Sequence, residues 1–558
     1  ERNRTGVEPG GGRRMCWGGA RMFSPKRAII ALASGLVLFF IFESGGRPID
    51  NPRAEADVLQ DGGGTGGGTS AERLAARYAR YQQGRSMLEH RRPRVLHYRP
   101  DSTKARSALT DEYDVIMVGA GLSGGVLAER LARLAGAKVL LLDKRNHIGG
   151  NCYDYLDPDA NVLVNKYGAH LFHTDLAHVW MYITSLHAWE RYDHQVLARV
   201  DGKLVPVPVN INTVNSLLNL TLKTESEMDA WLKATQVPPS HGGAPRNSKE
   251  MALSRVGSAL YKKVFEPYTK KQWAKDPSEL APSVTARIPV RNNFDNRYFS
   301  DRFQALPSGG YTSFFQSLLA HPNVTTLLDV DFFEVRPLLS KRAKLFYTGP
   351  VDSYFSTSGL GKLEYRSIRF VRELYRNYGF WQPVSVVNYP QDEQNCGFDD
   401  CSFTRIVEYK HYYGQQSPHT VTFREYSSDE GEPYYPVPSE RNVQLYHKFK
   451  ALAEAEKGVY FVGRLANYKY FNMDQAIDNA LAIFEQTLCD IMPASAACAA
   501  AKRGEHPSMW ATKRANVPPG AASAPSVGVP ARGGGGLVGS GGAQDKALDT
   551  AWRSPSDD

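Results

Sequence analysis

The sequence has few cysteines for its length and no spacing of them that would hold a metal. Its 558 residues contain six cysteines, at positions 16, 152, 396, 401, 489 and 498. Six are too few for a disulfide scaffold, and no Cys-x-x-Cys or mixed Cys/His pattern occurs. We therefore expect no metal site. Cys396 and Cys401 in "CGFDDC" could pair with each other or remain reduced.

Most of the chain also lacks an excess of charge. The net charge is +9, but the first 110 residues carry 19 basic and 10 acidic side chains, and the rest of the chain carries 48 of each. The excess therefore belongs to the N-terminal part and implies no basic face elsewhere. We expect no nucleic-acid partner. The hydrophobic content of 42% is enough for a large core.

One apolar run, "AIIALASGLVLFFIF" at 28–42, follows several basic residues in segment 1–27. A spanning helix needs ~17–25 residues and a signal-peptide core 7–15, so an uncleaved signal-anchor and a removed signal peptide both fit. We favour the anchor, because no clear small-x-small cleavage site follows. This predicts a membrane-anchored protein with its catalytic region in a lumen. A cytoplasmic catalytic region is the alternative.

Both flanks of the central region have biased composition. Residues 43–110 include "DGGGTGGGTS" and an arginine-rich stretch, which together predict a flexible stalk. Residues 493–558 are rich in Ala, Gly, Pro and Ser, which predicts a disordered tail. The working protein is therefore expected within 111–492.

The strongest local signal is "YDVIMVGAGLSGGVLAERLARLAGAKVLLLDKR" at 113–145. An apolar strand leads into Gly119, Gly121 and Gly124, a helical pattern follows, and a second strand ends at Asp143. Such glycines let backbone amides approach a pyrophosphate at a helix N-terminus, and the acid accepts hydrogen bonds from a ribose. In this setting the motif is strong evidence for a dinucleotide site.

Three further features favour FAD over NAD. A second glycine pair, Gly149-Gly150, follows the acid, and "KYGAHLFHT" places two histidines close together. The segment 459–488 reads as strand, turn and helix, and the helix start near 472–474 would favour the anionic edge of a reduced flavin. The predicted cofactor-binding residues are Gly119, Gly121, Ser123, Gly124, Asp143, Lys144, Gly150, Asn151, His170, His173, Gly463, Arg464, Asn472, Met473 and Asp474.

Ten motifs together resemble one known family. They are "GAGLSGG…DKRNHIGGN", "KYGAHLFHT", "DGKLVPVPVN", "YTKKQW", "VTARIPVR", "DNRYF", "FYTGPVD", "LEYRSIRF", "EPYYPV" and "GRLANYKYFNMDQ". In this order they are similar to UDP-galactopyranose mutases, flavoenzymes that interconvert UDP-galactopyranose and UDP-galactofuranose. The resemblance covers about 112–490 and is closer to the bacterial type.

The resemblance implies an α/β fold, with a Rossmann-type FAD-binding domain, a helical insertion and an antiparallel β-sheet domain. We expect the FAD-binding part at about 111–205, 300–345 and 455–492, the insertion at about 212–275, and the antiparallel sheet at about 277–300 and 346–450.

"YTKKQW" at 268–273 could be a helix that only packs its rings, or the wall of a pocket. By resemblance, Tyr268 and Trp273 hold the uridine, Arg287 closes over the diphosphate and Arg405 lies beneath it, since a planar guanidinium binds phosphate bidentately. The predicted substrate-binding residues are Asn210, Phe265, Tyr268, Thr269, Trp273, Arg287, Tyr298, Arg366, Asn388, Arg405, Tyr435, Tyr470 and Asn472.

The resemblance also implies the mechanism. N5 of reduced FAD attacks the anomeric carbon, UDP departs, and the sugar opens and recloses as a furanose through a covalent flavin N5–sugar adduct. We predict catalytic roles for Arg287 and Arg405 at the diphosphate and for His170 beside the flavin. Expected partners are the UDP-sugars, an electron donor such as NAD(P)H and further copies of the chain. The alternatives are an amine oxidase-like FAD oxidoreductase and a non-catalytic nucleotide-sugar binder.

Overall fold

The computed structural model describes residues 92–391, 398 and 400–503. The strands are β1 Arg94–His97, β2 Val115–Val118, β3 Val139–Leu142, β4 Asp154–Leu156, β5 Leu163–Asn165, β6 Phe172–Thr174, β7 Trp189–Arg191, β8 Val196–Val200, β9 Lys203–Val207, β10 Phe303–Pro307, β11 Val324–Leu328, β12 Lys344–Tyr347, β13 Tyr365–Tyr375, β14 Val386–Asn388, β15 Arg405–Glu408, β16 Thr420–Ser428, β17 Tyr435–Pro436 and β18 Val459–Phe461.

The α-helices are α1 Thr103–Thr110, α2 Leu122–Ala135, α3 Ala177–Leu186, α4 Ile211–Leu218, α5 Glu225–Thr235, α6 Ser248–Leu260, α7 Glu266–Trp273, α8 Ser283–Ala286, α9 Tyr311–Leu318, α10 Phe332–Val335, α11 Val351–Tyr354, α12 Glu440–Ala455, α13 Met473–Ile491 and α14 Ala496–Lys502.

A six-stranded parallel sheet, in the order β1-β11-β3-β2-β12-β18, forms the first layer. Its central strands, "VIMV" and "VLLL", are almost entirely buried, as expected for a parallel sheet covered on both faces. Helices α2 and α13 pack against each other beside this sheet. The predicted Rossmann-type α/β fold is confirmed. The apolar stripe predicted for α13 is buried at Ile477, Leu481, Phe484 and Leu488.

Two predicted boundaries are wrong because ordered elements lie beyond them. Strand β1 and helix α1 fall inside the predicted stalk, where β1 pairs with β11 and α1 buries Ala105, Ala108 and Leu109. Helix α14 falls inside the predicted tail and buries Cys498, which forms a disulfide with Cys489. Cys401 is also disulfide-bonded.

A seven-stranded sheet, in the order β17-β13-β16-β15-β14-β8-β9, forms the second layer. Its neighbouring strands are antiparallel except for the parallel pair β8 and β14. Strands β8 and β9 therefore belong here and not to the Rossmann part, where the sequence places them. Strand β12, which straddles the predicted boundary at about 345, joins the Rossmann sheet, and the segment predicted as strands at about 277–300 contains α8 and isolated bridges.

The helical insertion contains α4 to α7, close to the predicted bounds. Gly257 breaks the line of α6 with a φ of +74°, and a Cβ there would lie 2.3 Å from the carbonyl oxygen of Thr235. A π-helical turn, Tyr261–Phe265, then leads directly into α7.

Candidate functional site

Two cavities meet between the layers. An outer cleft of about 450 Å³ lies at the carboxyl ends of the Rossmann strands, and an inner cavity of about 250 Å³ lies over the second sheet. Four residues border both: His170, Arg464, Asn472 and Met473. A ligand that fills the cleft up to these residues would therefore touch a ligand in the inner cavity.

Backbone without side chains forms the floor of the outer cleft. Gly119 has a φ of +106°, and Gly150 has a φ of +54° with its would-be Cβ 2.8 Å from the Cα of Gly121. Gly121 caps the N-terminus of α2, so that helix starts at the cleft. The glycines let the backbone come close to a pyrophosphate, and the start of α2 points its positive dipole end at the cleft, as pyrophosphate binding requires. Gly124 lies behind the floor, where a Cβ would meet the carbonyl oxygen of Gly119 at 2.0 Å.

Asp143 borders the cleft where β3 ends. Its carboxylate accepts hydrogen bonds from the backbone N–H of Ala120 at 2.7 Å and of Arg145 at 2.9 Å. Burial nevertheless raises the pKa of Asp143. Hydroxyl donors from a ribose would stabilise this partly satisfied carboxylate.

The cleft also has an aromatic end that the sequence did not indicate. Phe333 and Tyr347 border it, with ring centroids 6.0 Å apart, and Phe333 is 43% exposed. Glu432 closes the same side through contacts with Lys144 and Arg145. A glycine floor, a helix start, an acid and apolar rings together fit a dinucleotide cofactor.

Most predicted cofactor-binding residues border the outer cleft. They are Gly119, Gly121, Ser123, Asp143, Lys144, Gly150, Asn151, His170, Gly463, Arg464, Asn472 and Met473. Three do not. Gly124 packs behind the floor, and His173 borders the inner cavity, stacked on Phe299 at 3.7 Å. Asp474 borders neither cavity, because its carboxylate turns away to accept a hydrogen bond from the hydroxyl of Thr174 at 3.0 Å.

The floor of the inner cavity is one row of paired residues across the second sheet. Glu425, Arg405, Asn388, Ala198 and Val205 follow each other on β16, β15, β14, β8 and β9. All five border the cavity. Because directly opposite residues share a face of a sheet, this register brings side chains from distant parts of the chain side by side.

Helix α7 forms the wall opposite this floor. Tyr268, Thr269, Gln272 and Trp273 border the cavity from one face of the helix. Trp273 also packs in a small apolar cluster with Leu280 and Val437 and lies 6.2 Å from the ring of Tyr470. Packing and a pocket wall were the two alternatives for the segment "YTKKQW", and the structure shows both: Trp273 packs in an apolar cluster, and the helix lines the cavity.

The inner cavity carries a net positive charge. Its lining contains three arginines, 287, 405 and 464, and a single carboxylate, Glu425. Two positive charges therefore remain for a ligand. A doubly charged anion such as a diphosphate would balance them, and guanidinium groups are suited to bind it.

Arg405 is held rigidly. Its Nε donates a hydrogen bond to Oε2 of Glu425 at 2.6 Å. Burial opposes its charge, but Glu425 outweighs that effect and the pKa of Arg405 stays well above its usual value. The carboxylate thus fixes one edge of the guanidinium.

Arg287 and Tyr470 form a second charged unit. The guanidinium of Arg287 lies 4.6 Å from the ring centroid of Tyr470, which itself stacks on Tyr435 at 5.2 Å. Burial would raise the pKa of Tyr470, but Arg287 and Arg464 outweigh it and lower the pKa below its usual value. The Tyr470 hydroxyl is therefore a stronger hydrogen-bond donor than an ordinary phenol.

His170 presents a hydrogen-bond acceptor where the cavities meet. Its Nδ1 lies 2.8 Å from the carbonyl oxygen of Gly168, so Nδ1 carries the proton and donates it. Burial lowers the pKa of His170 to about 4. At neutral pH the ring is uncharged, and Nε2 offers a lone pair.

Ten of the predicted substrate-binding residues border the inner cavity. They are Tyr268, Thr269, Trp273, Arg287, Tyr298, Asn388, Arg405, Tyr435, Tyr470 and Asn472. Asn210, Phe265 and Arg366 do not border it.

The three predicted residues that do not border the cavity make structural contacts instead. Asn210 caps α4, accepting from the N–H of Thr213 and donating to Asn296. Phe265 is buried in the main core. Arg366 donates from Nε to the hydroxyl of Ser427 at 3.1 Å. Their motifs resemble the family, but their side chains point elsewhere.

Sequence reasoning missed Glu425, Gln272 and His194, all of which border the inner cavity. Glu425 is 2% exposed on β16, and a buried acid of this kind indicates a charged partner, but the sequence around it does not reveal the burial. Gln272 lies four residues after Tyr268, so helical spacing could have indicated it. His194 had no signal, because nothing local links it to the other segments.

Comparisons with known proteins agree with this geometry. A family model described as UDP-galactopyranose mutase matches residues 263–470, and one described as an NAD(P)-binding Rossmann-like domain matches 117–186. A probable UDP-galactopyranose mutase of Klebsiella pneumoniae is 37% identical over 382 residues, covering 68% of this chain and 95% of the relative. A dTDP-fucopyranose mutase of Escherichia coli is 34% identical over 376 residues, covering 66% and 96%.

Two further matches are informative. A UDP-galactopyranose mutase of Mycoplasma pneumoniae is 33% identical over 408 residues, covering 68% of this chain and 97% of the relative. A crystal structure of reduced UDP-galactopyranose mutase superimposes with a TM-score of 0.53 at 16% identity, covering 68% of this chain and 94% of that one. The structural likeness supports the fold alone.

The predicted membrane-anchored localisation is wrong on this comparison. About two thirds of the chain matches the bacterial relatives over 95% and 97% of their length, which leaves them almost no room for a counterpart of an anchor and stalk. Among the described residues, no helix combines the length and the hydropathy needed to span a bilayer. The run at 28–42 itself lies outside the described residues.

The matched segments include the glycine floor, the wall at α7 and the arginine-lined cavity. The chain belongs to the UDP-galactopyranose mutase family.

Proposed function

We propose that this protein binds FAD in the outer cleft and interconverts UDP-galactopyranose and UDP-galactofuranose in the inner cavity. One observation carries the proposal: a cavity with two uncompensated positive charges opens onto the dinucleotide cleft through four shared residues. An amine oxidase-like reaction would not need this charge. A nucleoside diphosphate sugar requires it.

Arg405 and Arg287 take the diphosphate in this proposal. Arg405 is held at its Nε by Glu425, so its guanidinium is positioned to stabilise the charge that develops as the diphosphate leaves the sugar. Arg287 follows the four-residue helix α8 and contacts Tyr470 from the opposite wall. The two guanidinium groups hold the departing UDP close enough to return after ring closure.

The tyrosine pair and α7 orient the rest of the ligand. Tyr470, with its lowered pKa, donates a strong hydrogen bond to a phosphate oxygen, and Tyr435 stacks against it to fix its ring. Tyr268 and Trp273 offer the aromatic surface for the uracil. This places the nucleoside under α7 and the sugar towards the four shared residues.

Reduced FAD, when bound, supplies the electron-rich nitrogen nucleophile that ring contraction at constant oxidation level requires. His170 offers its Nε2 lone pair at the boundary between cofactor and sugar, where it accepts a hydrogen bond from a hydroxyl or from the flavin edge. The described residues contain one glycine motif of this type, so we propose an external electron donor such as NAD(P)H that reduces the flavin without a dinucleotide site of its own.

The test uses purified protein, loaded with FAD and reduced with dithionite, incubated with UDP-galactofuranose, and analysed by chromatographic separation of the two isomers. We expect conversion to UDP-galactopyranose by the reduced enzyme and none by the oxidised enzyme. A parallel reaction with dTDP-fucofuranose tests the activity named for the E. coli relative. Flavin-loaded, reduced protein that binds UDP but converts neither sugar would overturn the proposal.

A further inference from the structure

A buried histidine that the proposed function leaves without a role borders the inner cavity. His194 lies between β7 and β8 and is 4% exposed. Its ring packs against those of Tyr298 and Phe299, each at 5.9 Å. Burial, with the charge of Arg405 nearby, lowers the pKa of His194 to about 3, so the ring is neutral at physiological pH.

The hydroxyl group of Ser385 contacts one edge of this ring from behind the cavity, and the hydroxyl group of Tyr192 contacts Ser385. Nδ1 of His194 lies 3.4 Å from Oγ of Ser385, and that Oγ lies 3.1 Å from the hydroxyl of Tyr192. Ser385 is 1% exposed, so water does not compete for these contacts. The three groups form a chain that leads from the interior to the cavity.

The direction of this chain follows from counting donors. If Tyr192 donates to Ser385 and Ser385 donates to Nδ1, every proton has an acceptor. In the reverse direction the hydroxyl proton of Tyr192 would have no acceptor among the described residues, and an unpaired donor in a half-buried site is unfavourable. The chain therefore runs from Tyr192 to His194, and Nδ1 is the acceptor. The proton of the neutral ring must then be on Nε2.

Nε2 has no hydrogen-bond partner in the part of the chain that the structure describes, although the ring is almost wholly buried. Since Nδ1 turns towards Ser385, Nε2 is the polar atom that a ligand in the cavity can meet. His194 contacts Phe299, which stacks on His173, and His170, three residues before His173, borders both the inner cavity and the outer cleft. This places His194 towards the sugar, away from the nucleoside under α7.

We propose that His194 donates a hydrogen bond from Nε2 to a hydroxyl of the bound sugar, and that Ser385 and Tyr192 are positioning residues that hold the imidazole in the tautomer able to donate. The inference rests on the proposed nucleotide-sugar substrate. His170 has the opposite tautomer, because its Nδ1 donates to Gly168 and its Nε2 accepts. One histidine that donates a hydrogen bond and one that accepts a hydrogen bond suit sugar hydroxyl groups, because a hydroxyl group can both accept and donate.

Binding of deoxy-sugars tests the contact. We would measure dissociation constants of wild type and His194→Phe, a variant that keeps an aromatic ring, for UDP-galactose and its 2-, 3-, 4- and 6-deoxy analogues. In wild type, one analogue should bind roughly tenfold more weakly than UDP-galactose, and that difference should disappear in His194→Phe. If every analogue loses the same factor in both proteins, the proposal is wrong. Failure of wild type to bind UDP-galactose would instead refute the proposed function.

The positioning role has its own readout. Nitrogen-15 NMR of histidine-labelled protein, assigned with His194→Phe, should show the proton of His194 on Nε2 in wild type. Ser385→Ala should shift the proton partly to Nδ1 and reduce the selectivity for the sugar hydroxyl, whereas Ser385→Thr, which keeps a hydroxyl, should restore both. A wild-type spectrum with the proton on Nδ1 would overturn the proposal even if Ser385→Ala does not fold.

Discussion

The outer cleft and the inner cavity are built in different ways. The cleft is made largely of backbone, with glycines from two neighbouring segments and the start of α2. The inner cavity is made of side chains from the loops between strands, from the helical insertion and from all seven strands of the second sheet. The cleft therefore depends on a few positions that must lack a side chain. The inner cavity depends instead on the identities of many side chains.

This difference predicts that the two regions can be damaged separately. A change that adds a side chain to the floor of the cleft should remove the cofactor, while the cavity keeps its shape. A change of a charged group in the cavity should remove activity, while the cofactor stays bound.

The largest effect is expected for Arg405→Ala. Loss of one aimed, fixed charge should lower kcat/KM for UDP-galactofuranose roughly 100- to 1000-fold, with the flavin content of the purified protein unchanged. Steady-state kinetics with reduced enzyme measure this. Arg369→Ala, an exposed arginine on the same sheet, is the control and should keep its activity. Normal kcat/KM in Arg405→Ala would refute the role given to this cavity.

A smaller effect is expected for Gly150→Ala. The new Cβ would meet Gly121 at 2.8 Å in a backbone conformation with φ of +54°, so the floor must shift. We expect at least about tenfold weaker binding of FAD by apoprotein, measured by flavin fluorescence. Gly379→Ala, at a glycine with open space around it, is the matched control. Equal FAD affinity of the two variants would show that the cleft tolerates side chains after all.

The neutral His194 predicts a dependence of stability on pH. The folded-state pKa of about 3 lies below the unfolded value of 6.5, so its contribution is complete above pH 6.5 and is lost as pH falls towards 3. Between pH 7 and 5.5 we expect His194→Phe to lose about 1 kcal/mol less of its free energy of unfolding than wild type does. Denaturant unfolding at the two pH values measures this. Identical losses would indicate that folding does not lower the pKa of His194.

The smallest effect is expected for Arg366→Ala. The sequence motif assigns this arginine to the substrate, but its contact is the hydroxyl of Ser427 and it does not border the cavity. KM should stay within about twofold of wild type. Ile368 of the same strand already borders the cavity, so a large rise in KM would mean that the cavity extends to Arg366 when a ligand binds.

The sequence predicted the cleft well because its determinants are local. Glycine spacing, strand length and the acid at the end of β3 lie within 33 residues, and each has a direct physical meaning. Trp273 and Arg405 border the inner cavity, and only the resemblance linked these two residues, since their approach depends on the register of the second sheet; their contact with the substrate stays a prediction. Asn210 and Arg366 show the limit: a motif fixes the neighbourhood of a residue but not the direction of its side chain.

Strands β8 and β9 show the same limit at the level of the fold. They follow the Rossmann segment in the chain, so the sequence assigned them to it, whereas β8 pairs with β14, about 190 residues further on. A parallel pair between such distant strands has no local signal. Ordered residues before position 110 were missed because composition dominated that prediction, although Ala105, Ala108 and Leu109 are spaced as a helix face.

Helix α13 supplies Met473 to both cavities, and it is among the last long elements of the described chain. Neither half can therefore be cut out as an autonomous fragment or exchanged with that of another flavoprotein without rebuilding its neighbour. Evolution towards a different sugar must proceed by point substitution within the inner lining, since recombination of modules would separate residues that have to be inherited together.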